Sequence, residues 1–374
     1  MFKRAAAVVL TAAALLLVSG ALAPSTPFGE YPAKPRDPLA ASIDRAQQRL
    51  ARLPGDWVTW ASLGVSYVEQ ARVTGNPTLY QRAEAALTRS QQLRANADAL
   101  SGLGSLANSR HDFADAARLA REALALNPHS ATAYGVLADA LTQLGEADAA
   151  TDAVQRMLDL DPGLPALSRA AYDLEQHGRA AEARGLWTRA LRDANGANAS
   201  FVHGQLGDLA WHENDLVTAR AEYLRAGSQL GLARVDVAQG HTSRALATYA
   251  SLSATHPTPS LLAEFAMLLP PAQAAEQLAI ADATLALLAA NGGADDLAAA
   301  EVAIARGDYL AAVRLCEAEW QRRKHTDVAD LLGWSLHLAG RDSEALVFAQ
   351  RATANGIRHR GYLAHLHAIQ EAQP

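Results

Sequence analysis

A pattern of small and apolar residues that returns every 34 positions constrains this chain more than any other feature. Leu103-Gly104 is followed by Ala116, Ala120, Ala123 and Pro128, and 34 residues on Leu137-Ala138 is followed by Ala150, Val154, Met157 and Pro162. Within each period the apolar residues fall at i, i+3, i+4 and i+7 in two stretches, parted by a turn near Gly145 or its counterpart, so each period reads as two amphipathic helices. Small residues recur where the two helices would cross, since a larger side chain there holds the helices apart. A single helix pair cannot bury its own apolar face, so the pairs must stack into one continuous core. With 50% hydrophobic residues the chain has material for that core, and its abundant alanine with only 6% aromatics suits close helix packing.

Trp60-x-x-Leu63-Gly64-x-x-Tyr67, with closing turns at Asn127-Pro128 and Asp161-Pro162, resembles the tetratricopeptide repeat. Gly178 to Ala190 and Gly340 to Ala352 also carry the turn glycine and second-helix alanines of that family. The resemblance implies an all-α, right-handed superhelical solenoid of antiparallel helix pairs, in about nine units starting near residues 57, 97, 131, 164, 200, 226, 258, 293 and 326. An N-terminal helix over 42–56 precedes the array at 57–357, and a capping helix over 358–374 follows it, with Leu363, Leu366 and Ile369 as its apolar face. Three places break the pattern. About seven extra residues are expected between the helices of the first unit, around Thr74-Gly75-Asn76-Pro77. Ala219 and Ala245 stand only 26 apart, so about one turn is missing from each of two consecutive helices. Pro270-Pro271 replaces a turn glycine.

The first 23 residues read as a signal peptide: Lys3 and Arg4, an apolar stretch from Ala5 to Val18, then Ala21-Leu22-Ala23 as a cleavage site. Residues 24–41 form a Pro-rich linker. Cleavage takes the formal charge from −6 to −8 by removing Lys3 and Arg4, and the expected localisation is secreted, periplasmic or cell-envelope, with membrane contact only during export. No basic stripe stands out, so nucleic acid is not an expected partner. Cys316 is the single cysteine, which excludes an intramolecular disulfide.

No constellation for catalysis stands out, and no cofactor is expected. His212-Glu213 begins like a zinc-protease helix, but the second histidine one turn on is missing. His365 and His367 are two apart and point away from each other on a helix, with His359 nearby. Asp295-Asp296 suits the positive end of a helix. Trp60, Tyr67, Tyr134, Trp187, Tyr223 and Tyr249 fall at packing positions. What remains is the inner surface. First-helix positions 5, 9 and 12 of such repeats face the concave groove, which places Asp139, Tyr172, Asp208, Arg234, Glu301 and Trp334 at position 9 and Glu175, Trp211 and His337 at position 12. Asp139, Tyr172, Glu175, Asp208, Trp211, Glu301, Trp334 and His337 are the candidate partner-binding residues. Acidic groups with flat aromatics suit a protein or peptide segment carrying basic and apolar residues. Trp211 and Asp208 are expected to serve binding rather than stability. The lysine and asparagine clamp of chaperone-binding repeats is absent, with Ala61 and Val65 in its place. The chain also resembles bacterial exported proteins built of these units. That likeness implies an alternative role in envelope metal-ion handling, nickel for instance, to which the twelve histidines would contribute.

Overall fold

The computed structural model describes residues 38–373. The expected signal segment 1–23 and the linker up to residue 37 lie outside the described residues. Among those residues the regular structure is twenty α-helices and no strand. The first, α1 (Pro38–Arg52), begins inside the expected linker. Its opening proline fits the first helical position, where the missing N–H is not needed.

Nine helix pairs follow. They are α2 (Trp57–Thr74) with α3 (Leu79–Leu93), α4 (Ala97–Ser109) with α5 (Phe113–Leu126), and α6 (Ala131–Leu144) with α7 (Ala147–Leu160). Next come α8 (Leu164–Gln176) with α9 (Ala180–Asp193), α10 (Gly196–His212) with α11 (Leu216–Ala226), and α12 (Gln229–Ala238) with α13 (Thr242–Thr255). The last three are α14 (Pro259–Ala266) with α15 (Pro271–Ala290), α16 (Asp296–Arg306) with α17 (Tyr309–Arg322), and α18 (Thr326–Leu338) with α19 (Asp342–Thr353). Helix α20 (Arg360–Glu371) closes the array. Asn96, Asp112, Ser130, Asp215 and Asp308 each accept a backbone N–H at a helix start, satisfying groups the helix itself leaves unpaired.

One column of second-helix alanines holds the pairs together. Ala83, Ala116, Ala150, Ala183, Ala219, Ala245, Ala312 and Ala345 are all buried. Four residues on, one helical turn, a second buried column varies: Leu87, Ala120, Val154, Trp187, Tyr223, Tyr249, Cys316 and Ala349. Gly64 shows why small residues face it. A methyl group there would stand 2.4 Å from Leu87 Cγ, well inside contact distance.

The irregular places resolve differently from one another. The extra residues of the first unit are absorbed as added helix, not as loop: α2 has 18 residues, and Gly75 then turns the chain at φ +64°. Helices α11 and α12 are short, at 11 and 10 residues, joined by Gly227 and the capping Ser228. Helix α14 has only 8 residues, and α15 starts directly on Pro271. In α20 the buried face is Tyr362, Leu366 and Ile369, whereas Leu363 is exposed. The expected face was thus rotated, because Tyr362 packs with Ala329, Ala352 and Ile357 and claims the inner side.

Successive superhelical turns touch. Arg323 hydrogen-bonds Gln143 across 180 residues of sequence. The amide of Lys324 donates to the Leu144 carbonyl at 3.4 Å, and that of Ala294 to the Arg110 carbonyl at 3.3 Å. Thr326 Oγ1 donates to Gln176 Oε1 at 2.9 Å. Two turn glycines make this approach possible. A Cβ on Gly145 (φ +80°) would lie 2.7 Å from the Lys324 carbonyl oxygen, and one on Gly178 (φ +70°) 2.6 Å from that of Gly356. These positions therefore need glycine twice over, for the left-handed turn and for the neighbouring backbone.

Candidate functional site

The seam between turns converts the inner groove into a cavity of about 1230 Å³. Six of the eight groove candidates line it: Asp139, Tyr172, Glu175, Asp208, Trp211 and Glu301. Trp334 and His337 stand apart from this lining. The Trp334 ring stacks on His365 of α20, centroids 4.3 Å apart, and His337 Nδ1 pairs with Asp342 Oδ1 at 2.5 Å.

The wall is acidic. Among the described residues Asp139, Glu175, Asp208, Glu264, Asp295, Glu301, Asp327 and Asp330 line it, against the guanidinium groups of Arg234 and Arg323. Three of these carboxylates are held from behind by the variable second-helix column. Trp187 Nε1 donates to Glu175 Oε1 at 3.2 Å, Tyr223 Oη to Asp208 Oδ1 at 2.8 Å, and Tyr249 Oη to Glu264 Oε2 at 2.8 Å. Each aromatic is itself buried, so its polar tip fixes a carboxylate at the cavity while its body fills the core. Packing as read from the sequence thus holds for Trp187, Tyr223 and Tyr249, and it carries a polar consequence that periodicity does not reveal. Tyr67 is also buried, while Trp60 and Tyr134 are partly so.

Cations compensate these carboxylates unevenly. Glu264 takes Arg234 Nε at 3.0 Å, and Asp139 takes Arg169 Nη2 at 2.6 Å. Burial pushes the carboxyls of Glu175 and Glu301 up to about 7, and raises that of Asp208 against the opposing Tyr223 hydrogen bond. Glu301 Oε2 is buried without a hydrogen-bond partner among the described residues. For Asp327 burial works upward, but His325, Tyr362 and Arg323 outweigh it and hold the carboxyl below the usual range. The expectation that Asp208 is free of structural duty does not fit its hydrogen bond to buried Tyr223.

The aromatics are placed individually. Trp211 is partly buried, resting on Ala210, Ala219, Tyr223 and Val235, with the Arg360 guanidinium 4.1 Å from its ring centroid. The Tyr172 hydroxyl lies 3.3 Å from His325 Nε2 across the seam. His212 ends α10, and its ring stands 4.2 Å from that of His359. Burial, and then His359, brings His212 down to about 3. Among the described residues no group of three or more His, Cys, Asp or Glu side chains is placed to hold a metal ion. Cys316 is buried, and burial pushes its thiol up to about 12.

Several lining residues were not singled out from the sequence. Asp330 had a signal, since it occupies first-helix position 5 of the last unit. Arg323, Asp327 and Tyr362 had none, and His359 had drawn notice only beside His365; all four line the cavity.

A family model of the tetratricopeptide repeat matches residues 101–165. No curated protein matches this chain. The structure of the human IFIT1 dimer with m7Gppp-AAAA is similar over 84% of this chain and 76% of that one, at 16% identity and a TM-score of 0.50. Yeast Tom70 covers 89% of this chain and 85% of its own, at 13% identity and a TM-score of 0.40. Pseudomonas aeruginosa pilF covers 57% and 94%, at 18% identity and a TM-score of 0.40. At these identities the likeness is one of fold.

Proposed function

We infer, from the all-α superhelix of stacked helix pairs and the tetratricopeptide repeat model matched over residues 101–165, that the chain is a non-enzymatic binding scaffold whose inner cavity takes a basic, partly apolar protein segment. The observation that carries this reading is the row of inner-wall carboxylates fixed from behind by Trp187, Tyr223 and Tyr249. Groups held in place before a partner arrives lose less freedom on binding. A space of about 1230 Å³ exceeds the ~300–1,000 Å³ typical of small-molecule pockets and suits a stretch of peptide. The wall's acidity guides a cationic segment inward and opposes phosphates, so the m7Gppp-AAAA bound to human IFIT1 is a poor guide to the partner here. Catalysis has little support: Cys316 is buried with a raised thiol, and the cavity carboxylates serve as acceptors for structural donors.

The working place of the scaffold, on this reading, is outside the cytoplasm, with Pro24 as the mature N-terminus. Mass spectrometry of the protein purified from its source cells checks this, and an intact Met1 terminus contradicts it. The metal-handling alternative lacks a donor cluster among the described residues. Calorimetric titration with nickel, cobalt and zinc is expected to give no heat of specific binding.

The binding claim is tested by fluorescence anisotropy with a labelled peptide of alternating arginine, leucine and alanine, and with a glutamate counterpart. The arginine peptide is expected to bind, more weakly as salt rises. Asp208→Asn and Glu175→Gln should each weaken it about five- to tenfold. Equal binding of the glutamate peptide would overturn the reading.

A further inference from the structure

We propose that the face of Trp211 is an arginine-accepting subsite of this cavity, kept closed by Arg360 of the chain's own capping helix until a partner's arginine displaces it. The proposal rests on the reading of the cavity as a groove for a basic segment. It adds the chemical identity of one anchoring residue and the device that guards it.

The internal contact itself displays the chemistry. The Arg360 guanidinium carbon lies 4.1 Å from the Trp211 ring centroid, within the ~6 Å over which a cation is attracted to an aromatic face. Trp211 packs against the buried cluster of Ala210, Ala219, Tyr223 and Val235, which holds the ring in place while Arg360 covers its face. Arg360 reaches it as the first residue of α20, which no sequence spacing places near α10. A flat guanidinium stacks on such a face better than a compact, strongly hydrated ammonium, which makes arginine the favoured occupant over lysine.

Arg360 is also an incomplete occupant. Its Nη1 is buried and finds no hydrogen-bond partner among the described residues. A guanidinium carries five N–H donors, and a buried donor left unpaired weakens the contact that buries it. Two carboxylates that share a pocket lining with the flanking His359 and Tyr362 are already engaged: Glu213 by Arg184, and Asp327 by His325 and Tyr362. An arginine on a flexible peptide enters the cavity without the constraint of a helix start, and can pair with Glu175 or Asp208, which among the described residues are held by Trp187 and Tyr223 and form no ion pair. Displacement exchanges an under-satisfied internal cation for a better satisfied external one. Only the Arg360 side chain need swing aside, since Ile357 and Tyr362 on either side of it are buried.

The test uses the full chain and the labelled arginine peptide described above, with lysine and citrulline counterparts, followed by anisotropy. Arg360→Ala should bind the arginine peptide about fivefold more tightly than the parent chain. The gain should shrink for the lysine peptide and vanish for the uncharged citrulline peptide. It should also vanish when Trp211→Leu is added to Arg360→Ala. Arg360→Lys should fall between parent and Arg360→Ala, and it provides the comparison if the alanine variant melts well below the parent. If the parent binds the peptide but neither Arg360 variant binds it more tightly, the guarding role is overturned while the groove reading stands. If no chain binds any basic peptide, both are overturned.

Discussion

Units one to three and units four to six present the same second-helix column to the core, yet fill it in opposite ways. In α3, α5 and α7 the position is Leu87, Ala120 and Val154; in α9, α11 and α13 it is Trp187, Tyr223 and Tyr249. The first set contributes packing alone. The second contributes packing and a donor aimed at an inner-wall carboxylate, within the unit for Trp187 and Tyr223 and on the next unit for Tyr249. A carboxylate in the first region, Asp139, is instead paired sideways by Arg169 on the next unit. The difference teaches that an inner-wall charge can be fixed in two ways, by a hydrogen bond from a buried residue behind it or by a cation beside it.

The largest expected effect is at Trp187. Trp187→Ala should lower stability by about 3–5 kcal/mol, through the lost volume and the loss of the donor to Glu175. Ala120 at the same position of α5 shows that the fold itself tolerates a small residue there when neighbours are built for it. A chemical denaturation midpoint unchanged in Trp187→Ala would remove the contrast between the regions.

Gly207→Ala and Gly135→Ala should differ in sign. A Cβ at Gly207 meets the Tyr223 ring at 2.6 Å, and Gly231 on the other side leaves the ring no retreat, with its own Cβ position also 2.6 Å away. The cost should be about 1–3 kcal/mol. At Gly135 the nearest atom is Met157 Sδ at 3.1 Å, the movable end of a flexible side chain. Replacing a mid-helix glycine there should stabilise by about 0.5–1 kcal/mol. Thermal melts of the two variants decide it, and a shared sign would contradict the comparison.

Tyr223→Phe isolates the hydrogen bond from the ring. It should cost about 0.5–1.5 kcal/mol, because the partly buried Asp208 loses its donor. The same variant should weaken basic-peptide binding, which a purely packing role for Tyr223 does not predict.

The pH profile sharpens the contrast further. Burial raises the Glu175 carboxyl from its ordinary 4.5 to about 7. Between those values the folded chain holds a proton that the unfolded chain has released. Stability therefore falls as pH rises through the window and levels off above it. Glu175→Gln should flatten that part of the curve, and an unaltered slope in denaturation midpoints from pH 4 to 8 would contradict the assignment. The smallest effect is expected at Asp139→Ala. Its pair with Arg169 is half-exposed, at 42% and 29%, so the loss should be about 0–1 kcal/mol in the same melts.

The repeat architecture was legible because it is written locally. Recurrence of alanine and glycine every 34 residues marks the helix crossings, and the predicted unit starts at 57, 97, 131, 164 and 326 coincide with the first residues of α2, α4, α6, α8 and α18. The shortening of α11 and α12 followed from one spacing, Ala219 to Ala245. Where the sequence erred, one pattern allowed two outcomes. The extra residues near Thr74 could extend a helix or form a loop, and Gly75 placed the stop after the helix had lengthened. For α20, an i, i+3 apolar reading passed over Tyr362, whose hydroxyl had a partner waiting in Asp327.

Six groove candidates could be placed from helical periodicity, since position 9 or 12 of a helix faces inward wherever the repeat is regular. The rest belongs to tertiary structure. Nothing local in Gly145 or Gly178 states that the backbone of Lys324 or Gly356, more than half a chain of repeats further on, will rest on it, and nothing in Arg360 names Trp211 as its platform. Those contacts depend on the small rotation between stacked units, summed over a full turn, and on the shortened helices that alter it midway. A sequence specifies each step of such a stack through the residues at one interface. Where the turns meet, and so which charges face one enclosed space, is set by the sum of all the steps.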